Sequence, residues 1–357
     1  MPLDSRGVPI PVSRPDFILS TQGKYVPIFL AGQGSSAQVW YAISRKDVAA
    51  SDASPAKLIG HICAVKVNIF NAIPVVLTKI NNHPNDNTAE VMALSKIRDL
   101  AQGNMKKRFP QLLEALTGGD CKPTNSPWLA MRVVHGFELT HLLRFANILS
   151  CPVPEPLVYH LFVQLMEGLK FLHDNDMAKT DLQAANIMVD IALENAEFPG
   201  LCLPNFVLID FGGYCEKNGV HMPKIERANL YHRIMSAFAT NNHTCVNAVE
   251  KQVNICKNHD ENWHIFVEML KKYVRPDGLP WNTYIAMITL LDDKDMRVGG
   301  KLFEMAKTKR IQIIPSDRKI IEILVKDAVK DSPIKRNGFP SEEEVAKAIK
   351  DFRTYMS

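Results

Sequence analysis

Apolar and polar positions alternate along the first third of the chain and then follow a helical period. Residues 25–70 hold three apolar or alternating runs, YVPIFLAG, SAQVWYAIS and HICAVKVNIF, which predict three β-strands. Between the second and third runs, the small and polar stretch RKDVAASDASPAK predicts an exposed loop. Residues 88–100 place an apolar side chain at every third position from Val91 to Leu100, which predicts a helix. QLLEAL and PWLAMRVV then return to strand character.

The pattern changes after Gly136. Residues 157–175, LVYHLFVQLMEGLKFLHDN, have the spacing of a long amphipathic helix. Two short apolar runs follow, NIMVDIAL and NFVLIDFGG, and a Pro-Gly pair predicts a turn in the loop that joins them. Helices dominate from residue 225 onward. Ser341 and Glu344, three residues later, form a capping box that predicts the start of a last helix.

These patterns predict an α+β chain with a β-rich first part and a mainly helical second part. We expect an irregular N-terminal extension with four prolines at 1–24, a small lobe at 25–133 and a large lobe at 134–314. A helical tail at 315–357 is expected to pack on the large lobe, with docking of a partner as the alternative.

Composition narrows the class of protein. The chain has 357 residues, 46% hydrophobic and 22% charged, as is usual for a globular protein of one or two domains. No run of about 18 apolar residues predicts a membrane span, and the polar N-terminus does not resemble a secretory signal. We therefore expect an intracellular protein, cytoplasmic or nuclear. The seven cysteines contain no CxxC pair and are expected to be reduced thiols. A net charge of +4 does not indicate nucleic-acid binding, and oligomeric state is not predicted.

Two segments of the first part carry residue types that suit phosphate binding. GQGSSAQV at 32–39 has glycines that let backbone N–H groups approach anionic oxygens, although alone it also fits an ordinary hairpin turn. CAVK at 63–66 places a lysine in an apolar strand, where the ammonium must reach water or an anion. Glu90, on the following helix, is the acidic residue expected to hold the ammonium of Lys66.

Two segments of the second part carry residue types that suit magnesium and group transfer. KTDLQAAN at 179–186 holds Asp181 and Asn186, five residues apart, just before an apolar run. LIDFG ends a second apolar run at Asp210. Phosphoryl transfer needs a carboxylate to orient the attacking hydroxyl and hard oxygen ligands for Mg²⁺. Each segment alone also fits a turn, and the order of all four segments is what indicates a function.

In that order, the four segments resemble the eukaryotic protein kinase superfamily, over roughly residues 25–300. The resemblance implies a bilobal protein-kinase fold with a glycine-rich loop at 32–39, in which Ala37 replaces the third glycine. It also implies a hinge whose backbone at 131–133 faces adenine. The ATP-binding residues that it implies are Gly32, Gly34, Ala37, Val39, Ala64, Lys66, Glu90, Met131 and Val133.

The same resemblance implies a function. Asp181 and Lys66 would be catalytic, and Asn186 and Asp210 would bind magnesium. The expected cofactors are ATP and Mg²⁺, and the expected activity is transfer of phosphate to Ser or Thr hydroxyls of a protein. Two alternatives stay open: a pseudokinase that binds ATP and acts as a scaffold or regulator, and a kinase of small molecules with a hydroxyl acceptor. A binding protein unrelated to kinases is the third alternative.

Several positions depart from the kinase pattern. Lys179-Thr180 stands where the family has His-Arg before the catalytic aspartate, and Gln183 replaces a lysine. Between Gly213 and Met235 there is no serine or threonine, so activation by Ser/Thr phosphorylation of this loop is not expected. The Ala-Pro-Glu signature is missing, and Asn229 occupies a position where the family has aspartate. These departures favour the pseudokinase alternative.

Overall fold

The structure of the protein is a computed structural model. It describes residues 12–34, 37–50, 54–68, 87–116, 127–149, 153–179, 181–192, 196–212, 214–216, 230–235, 261–266, 293–331 and 339–356.

The described residues form an α+β structure. Strands β1 to β10 are Tyr25–Gln33, Ala37–Ser44, Ile62–Asn68, Leu112–Ala115, Trp128–Arg132, Gly136–Glu138, Met177–Lys179, Ile187–Asp190, Asn205–Leu208 and Tyr214–Glu216. Helices α1 to α9 are Arg14–Ser20, Arg45–Ala50, Pro55–Leu58, Thr88–Leu100, Leu139–Ile148, Glu155–Asp174, Asp293–Lys309, Pro315–Asp331 and Glu342–Met356. Shorter helical turns are Ile59–His61, Gly103–Arg108, Ala184–Asn186, Pro199–Leu201 and Leu230–Met235, and residues 261–266 are also helical.

The chain divides into two units. Unit 1 takes its residues from Met1–Leu100, Pro110–Val134 and Pro333–Ser357, and unit 2 from Ala101–Phe109 and His135–Ser332. Ala101–Phe109, which the sequence prediction places within 25–133, belongs to unit 2. The reason is Arg108, which is buried and forms ion pairs with two carboxylates of unit 2.

Unit 1 is built on one antiparallel sheet in the order β1-β2-β3-β5-β4. The runs read as strands in the sequence supply all five strands. β1 and β2 form a hairpin whose register is irregular on the β1 side, at Pro27/Phe29 and Leu30/Gly32. The hydrophobic core of unit 1 is centred on this sheet and includes Trp40, Val65 and Trp128. α4, predicted at 88–100, begins at Thr88 and ends at Leu100.

Two stretches of unit 1 that were expected to be irregular contain helices. α1 lies within the N-terminal extension, and the side chain of Ser13 accepts a hydrogen bond from the backbone N–H of Asp16 at its start. Pro15 lies in the first turn, where a missing N–H leaves no hydrogen bond unmade, and Phe17 is fully buried in the core. The polar stretch after β2 forms α2 and α3 instead of an open loop, and Leu58 of α3 anchors it in the core.

The two helices of the C-terminal tail, predicted at 315–357, contact different units. α8 contacts α5 and β6 in unit 2, whereas α9 contacts β1 and α3 in unit 1. The apolar face of α9 is buried in the core of unit 1, and its side chains there are Val345, Ala348, Ile349 and Phe352. The predicted capping box is confirmed: Glu344 Oε2 accepts from the Ser341 N–H at 2.9 Å, and Ser341 Oγ accepts from the Glu344 N–H at 3.2 Å.

Unit 2 combines long helices with two small antiparallel sheets. α6 is buried along most of its length and packs against α7, Gly103–Arg108 and β9. One sheet has the order β6-β8-β9, and the other pairs β10 with β7. β8 and β9 are the two short apolar runs of the sequence prediction. β8 begins directly after Asn186, and β9 ends two residues before Asp210.

The cysteines that the structure describes with side chains are free thiols. Cys63 is buried in the core of unit 1, and burial raises its thiol pKa to about 12. Cys202 is half-buried.

Candidate functional site

Lys66 and Glu90 form an ion pair in unit 1. Lys66 lies on β3, and its Nζ is 2.5 Å from Oε2 of Glu90, in the first turn of α4. The side chain of Glu90 is 2% exposed and that of Lys66 is 13% exposed. A carboxylate buried this deeply needs a cation beside it, and the pair therefore holds the ammonium in one place. The structure thus brings together the two residues that the sequence paired.

Four of the predicted ATP-binding residues share one face of the sheet. Val39 is paired with Lys66, and Ala64 with Met131. Directly opposite residues of antiparallel strands lie on the same face, as do residues two apart along a strand. All four side chains are only partly buried. This face of the sheet therefore carries three apolar side chains, Val39, Ala64 and Met131, beside the ammonium of Lys66.

The hairpin between β1 and β2 carries the two glycines of the predicted phosphate loop. Gly32 is paired with Val39, beside Lys66 in the same row of the sheet. A Cβ atom added to Gly32 would meet no atom of the described residues within 4 Å. The N–H of Gly34 donates to the carbonyl oxygen of Ala37 at 2.9 Å, which closes the turn. The backbone at Gly32 is therefore open to an approaching group.

Ala37 and Val133 differ from the other predicted ATP-binding residues. Each is 7% exposed. Val133 belongs to the core cluster of unit 1, and Ala37 contributes its carbonyl oxygen to the turn. Their side chains fill the protein interior, which limits any contact with a ligand to their backbone groups.

In unit 2, Asp181 is held by two amide side chains. Nδ2 of Asn186 donates to Oδ2 of Asp181 at 2.8 Å and to its carbonyl oxygen at 3.0 Å. Nε2 of Gln183 donates to the same Oδ2 at 3.0 Å. Both donors are neutral, and both lie within five residues of Asp181 in the chain. The loop therefore orients its own carboxylate before any ligand is bound.

Asp210 is joined to this loop through the backbone. The N–H of Ile209, the residue before Asp210, donates to the carbonyl oxygen of Asn186 at 2.9 Å. Asp210 itself has a φ of 60°, in the left-handed region that few residues other than glycine adopt. The carbonyl oxygen of Asp210 accepts a hydrogen bond from Nζ of Lys179 at 2.5 Å. Asn186 and Asp210, both predicted as metal ligands, thus lie on adjacent, hydrogen-bonded segments.

The side chains of Asn186 and Asp210 fit a magnesium ion. Carboxylate and amide oxygens are hard donors, and Mg²⁺ in proteins commonly takes one or two such ligands together with phosphate oxygens. Asn186 turns its amide nitrogen toward Asp181, which directs its amide oxygen away from that carboxylate. Within the described part of the chain, no group of three or more His, Cys, Asp and Glu side chains is placed to hold a metal.

Sequence reasoning missed a buried polar cluster in unit 2, which we call the Glu197 cluster. Glu197 lies between Arg108, at 2.6 Å, and Arg310, at 2.9 Å. Burial by itself would raise the pKa of the Glu197 carboxyl, but the two guanidinium groups outweigh burial and hold that pKa below its ordinary value. Gln164 donates to Glu197 at 3.1 Å, and His160, one turn earlier on α6, is fully buried. No local signal marks this cluster, because Arg108, Glu197 and Arg310 are far apart in the chain.

Parts of the predicted motifs lie outside the described residues. These are residues 35–36 of the glycine loop, Thr180, Gly213 and the stretch 217–229 with Asn229. At Tyr214 and Tyr231 only the backbone is described. The prediction about activation-loop phosphorylation therefore stays a prediction.

Searches against protein-family models and against curated proteins return no match to this chain. None of the helices in the described ranges is both long enough and apolar enough to cross a membrane.

Proposed function

We propose that this chain is a phosphotransferase with the bilobal fold of the protein kinases, in which unit 1 is the small lobe and unit 2 the large lobe. It binds ATP with Mg²⁺ and transfers the terminal phosphate to a Ser or Thr hydroxyl of a protein. The observation that carries the proposal is the Lys66–Glu90 pair, in which a buried carboxylate holds a partly exposed ammonium. A cation fixed in this way is prepared for an anion such as a phosphate.

Unit 1 supplies the groups that hold the nucleotide. Val39, Ala64 and Met131 offer apolar contact to adenine, and Lys66 on the same face offers its charge to the phosphates. The open space above Gly32 lets phosphate oxygens approach the backbone closely. These groups bind ATP before transfer begins, and they fix the position of its terminal phosphate.

Unit 2 supplies the groups that act in transfer. Asp181, oriented by Gln183 and Asn186, accepts the proton of the acceptor hydroxyl. The hydroxyl oxygen then bonds to the terminal phosphorus as the bond to the leaving ADP oxygen breaks, and the proton passes from Asp181 to solvent. Asn186 and Asp210 hold the metal. When bound, Mg²⁺ neutralises charge on the phosphate oxygens.

A second candidate function, an ATP-binding regulator without transfer, is favoured by one observation. Gln183 donates to Asp181 where many Ser/Thr kinases place a lysine, so the loop offers no cation at this position. A lost contact to developing charge lowers a rate by roughly a hundredfold. The two functions differ in one measurable property, since both bind ATP and only the first transfers phosphate.

Binding is tested by titrating ATP with Mg²⁺ into the pure protein and into Lys66→Met. We expect affinity to fall by roughly tenfold or more in the variant. Lys24→Met is the matched control, because Lys24 also pairs with a glutamate of unit 1, Glu114 at 2.7 Å, but at an exposed position. Equal affinity of Lys66→Met and wild type would contradict the proposal.

Loss of Lys66 leaves Glu90 buried without this cation, so the single variant is also less stable. The double variant Lys66→Met/Glu90→Gln removes both charges and is expected to recover stability. If its ATP affinity stays low while its stability recovers, the lysine acts on the ligand. If affinity recovers with stability, Lys66 has only a structural role.

Transfer is tested with labelled ATP, Mg²⁺ and general protein acceptors. Asp181→Asn is expected to lower transfer by about a hundredfold or more while ATP still binds. Asp174→Asn is the control, because Asp174 is an exposed aspartate of the same unit that pairs with Lys170. Binding of ATP without transfer by wild type would favour the regulator, and transfer to small hydroxyl compounds alone would identify a small-molecule kinase.

A further inference from the structure

Lys179 is a lysine buried next to the candidate site of unit 2. It is the last residue of β7, is paired with Tyr214 of β10, and is 1% exposed. An ammonium at this depth is costly unless its charge and its donors are satisfied. The contacts of this side chain therefore say what the residue does.

The ammonium of Lys179 contacts Asp210 and Phe211, which are neighbours in the LIDFG segment. Nζ donates to the carbonyl oxygen of Asp210 and lies 5.0 Å from the centroid of the Phe211 ring. That distance is within the range of a cation–π interaction. Phe211 is 1% exposed and its ring lies 6.0 Å from that of Phe109, so the ring is itself fixed by packing. Lys179 as a whole is 1% exposed, so its ammonium is enclosed by protein atoms.

The contact bears on the backbone conformation of Asp210. A residue with a φ of 60° is strained unless its surroundings hold it, although aspartate tolerates this region better than most residues. The ammonium of Lys179 fixes the carbonyl oxygen on one side of this residue, and the bond from Ile209 to Asn186 fixes the chain on the other. The carbonyl oxygen of Asp210 belongs to one of the two peptide groups that flank its Cα, so the contact with Lys179 restricts the backbone rotation that sets the direction of the Cα–Cβ bond. A Cβ on Gly212 would lie 3.4 Å from Oδ1 of Asp210, so the glycine keeps space beside that oxygen.

We propose that Lys179 is a positioning residue, whose buried ammonium holds Asp210 in the left-handed conformation that presents its carboxylate to Mg²⁺. This inference rests on the proposed function, because it takes Asp210 as a metal ligand. It assigns to Lys179 a backbone-holding role in place of a contact with phosphate. The effect of Lys179 is therefore on the metal-dependent part of nucleotide binding.

The experiment measures ATP affinity by calorimetry twice for each protein, once with Mg²⁺ and once with EDTA. Wild type is expected to bind more tightly with Mg²⁺. In Lys179→Met the gain from Mg²⁺ is expected to fall roughly tenfold or more, while affinity in EDTA is unchanged, because second-layer partners of metal ligands act on metal affinity. A merely structural role would lower both affinities together. Lys170→Met, at an exposed lysine of α6, is the control.

A second variant separates hydrogen bonding from folding. Lys179→Gln keeps an N–H donor for the carbonyl oxygen of Asp210 without a charge, and it is expected to restore part of the gain from Mg²⁺. Mn²⁺ bound together with ADP, followed by electron paramagnetic resonance, gives the same comparison without any activity. If Lys179→Met keeps the full wild-type gain, the role of Lys179 is overturned while the proposed function stands. If wild type itself gains nothing from Mg²⁺, the proposed function fails, and this inference fails with it.

Discussion

The two units of this protein bury charge in different ways. Among the described residues of unit 1, Glu90 is the one charged side chain that is fully buried, and its partner Lys66 is partly exposed. Unit 2 buries several charged side chains, and those described are Arg108, Lys179, Asp190 and Arg310. The other buried polar side chains described in unit 1 are uncharged, and they are Thr21, Gln38, Asn68 and Asn87. The interior of unit 2 uses charge to hold loops together.

This difference separates charges that face a ligand from charges that hold the backbone. The ammonium of Lys66 donates to the Glu90 carboxylate and is partly exposed, and we propose that it acts on phosphate. Lys179 ends at a carbonyl oxygen and an aromatic ring in the interior, and we propose that it acts on Asp210. Two lysines in apolar strands thus have similar sequence contexts and different surroundings. Variants that remove a buried charge in unit 2 are therefore expected to cost more stability than variants that remove an exposed charge in unit 1.

The largest effect is expected at the centre of the Glu197 cluster. Glu197→Gln leaves the guanidinium groups of Arg108 and Arg310 without their common carboxylate, and breaking such a buried pair costs about 3–5 kcal/mol. Hydrogen exchange followed by mass spectrometry is expected to show lost protection in α6 and β9, with β1 to β3 unchanged. Asp351→Asn removes the exposed pair with Arg14 in unit 1 and is expected to cost at most about 1 kcal/mol. Equal costs for the two variants would contradict the contrast between the units.

A smaller effect is expected from acid, and it is again confined to unit 2. Burial, with Arg310 and Arg108 nearby, lowers the pKa of His160 from 6.5 to about 3, although Glu197 and the hydrogen bond to the backbone of Pro204 act to raise it. The native state keeps His160 neutral, whereas the unfolded chain takes up a proton below about pH 6.5. Stability is therefore lost as pH falls from about 6.5 toward 3, by about 2 kcal/mol at pH 5.

Denaturant unfolding at pH 7 and pH 5 measures this loss, with exchange protection assigning it to unit 2. His160→Gln, which does not titrate, is expected to unfold with a smaller difference between the two pH values. The Glu197 carboxyl acts in the same direction at lower pH, since its lowered pKa means that stability is lost as pH falls through that range. A wild-type protein with the same unfolding free energy at both pH values would refute the assignment of a neutral, buried His160.

The sequence predicts those parts of the fold that depend on local pattern. The five strands of the unit 1 sheet, α4 and α6 follow from periods of two and of about three and a half residues. The capping box at Ser341 is a four-residue signal and has the predicted geometry. The sequence analysis misses α1 because the four prolines of residues 1–24 indicate an irregular segment, although a proline in the first turn, such as Pro15, is compatible with a helix.

What the sequence does not predict depends on contacts between distant segments. α9 packs on β1 because its apolar face completes the core of unit 1, and nothing within residues 315–357 indicates which unit receives it. Arg108, Glu197 and Arg310 meet only through the fold. In the candidate site, the kinase resemblance paired Lys66 with Glu90, but the partners of Lys179 and Gln183 needed the structure.

A still smaller loss of stability is expected when the capping box of α9 is removed, and this loss is confined to unit 1. Ser341→Ala removes the oxygen that accepts from the N–H of Glu344, at a cost of about 1 kcal/mol. Exchange protection is expected to fall in α9 and in β1, which it contacts, and to stay constant in α8, its neighbour in sequence. Thr308→Ala, at an exposed position of α7, is the control. Lost protection in α8 without any change in β1 would argue against the assignment of α9 to unit 1.

The smallest effect on stability is expected at Gly32, where the effect on binding is the informative one. An alanine there meets no atom within 4 Å, so its cost is expected to lie within about 0.5 kcal/mol. Gly60→Ala is a matched control, because a Cβ at Gly60 in the same unit also meets open space. The new methyl group at position 32 occupies the space above the backbone beside Lys66, through which we propose that phosphate oxygens approach. Calorimetry is expected to show several-fold weaker ATP binding for Gly32→Ala and no change for Gly60→Ala. Equal ATP affinity of the two variants would mean that the open face of unit 1 is not where the phosphates bind, even if Lys66 and Glu90 remain paired.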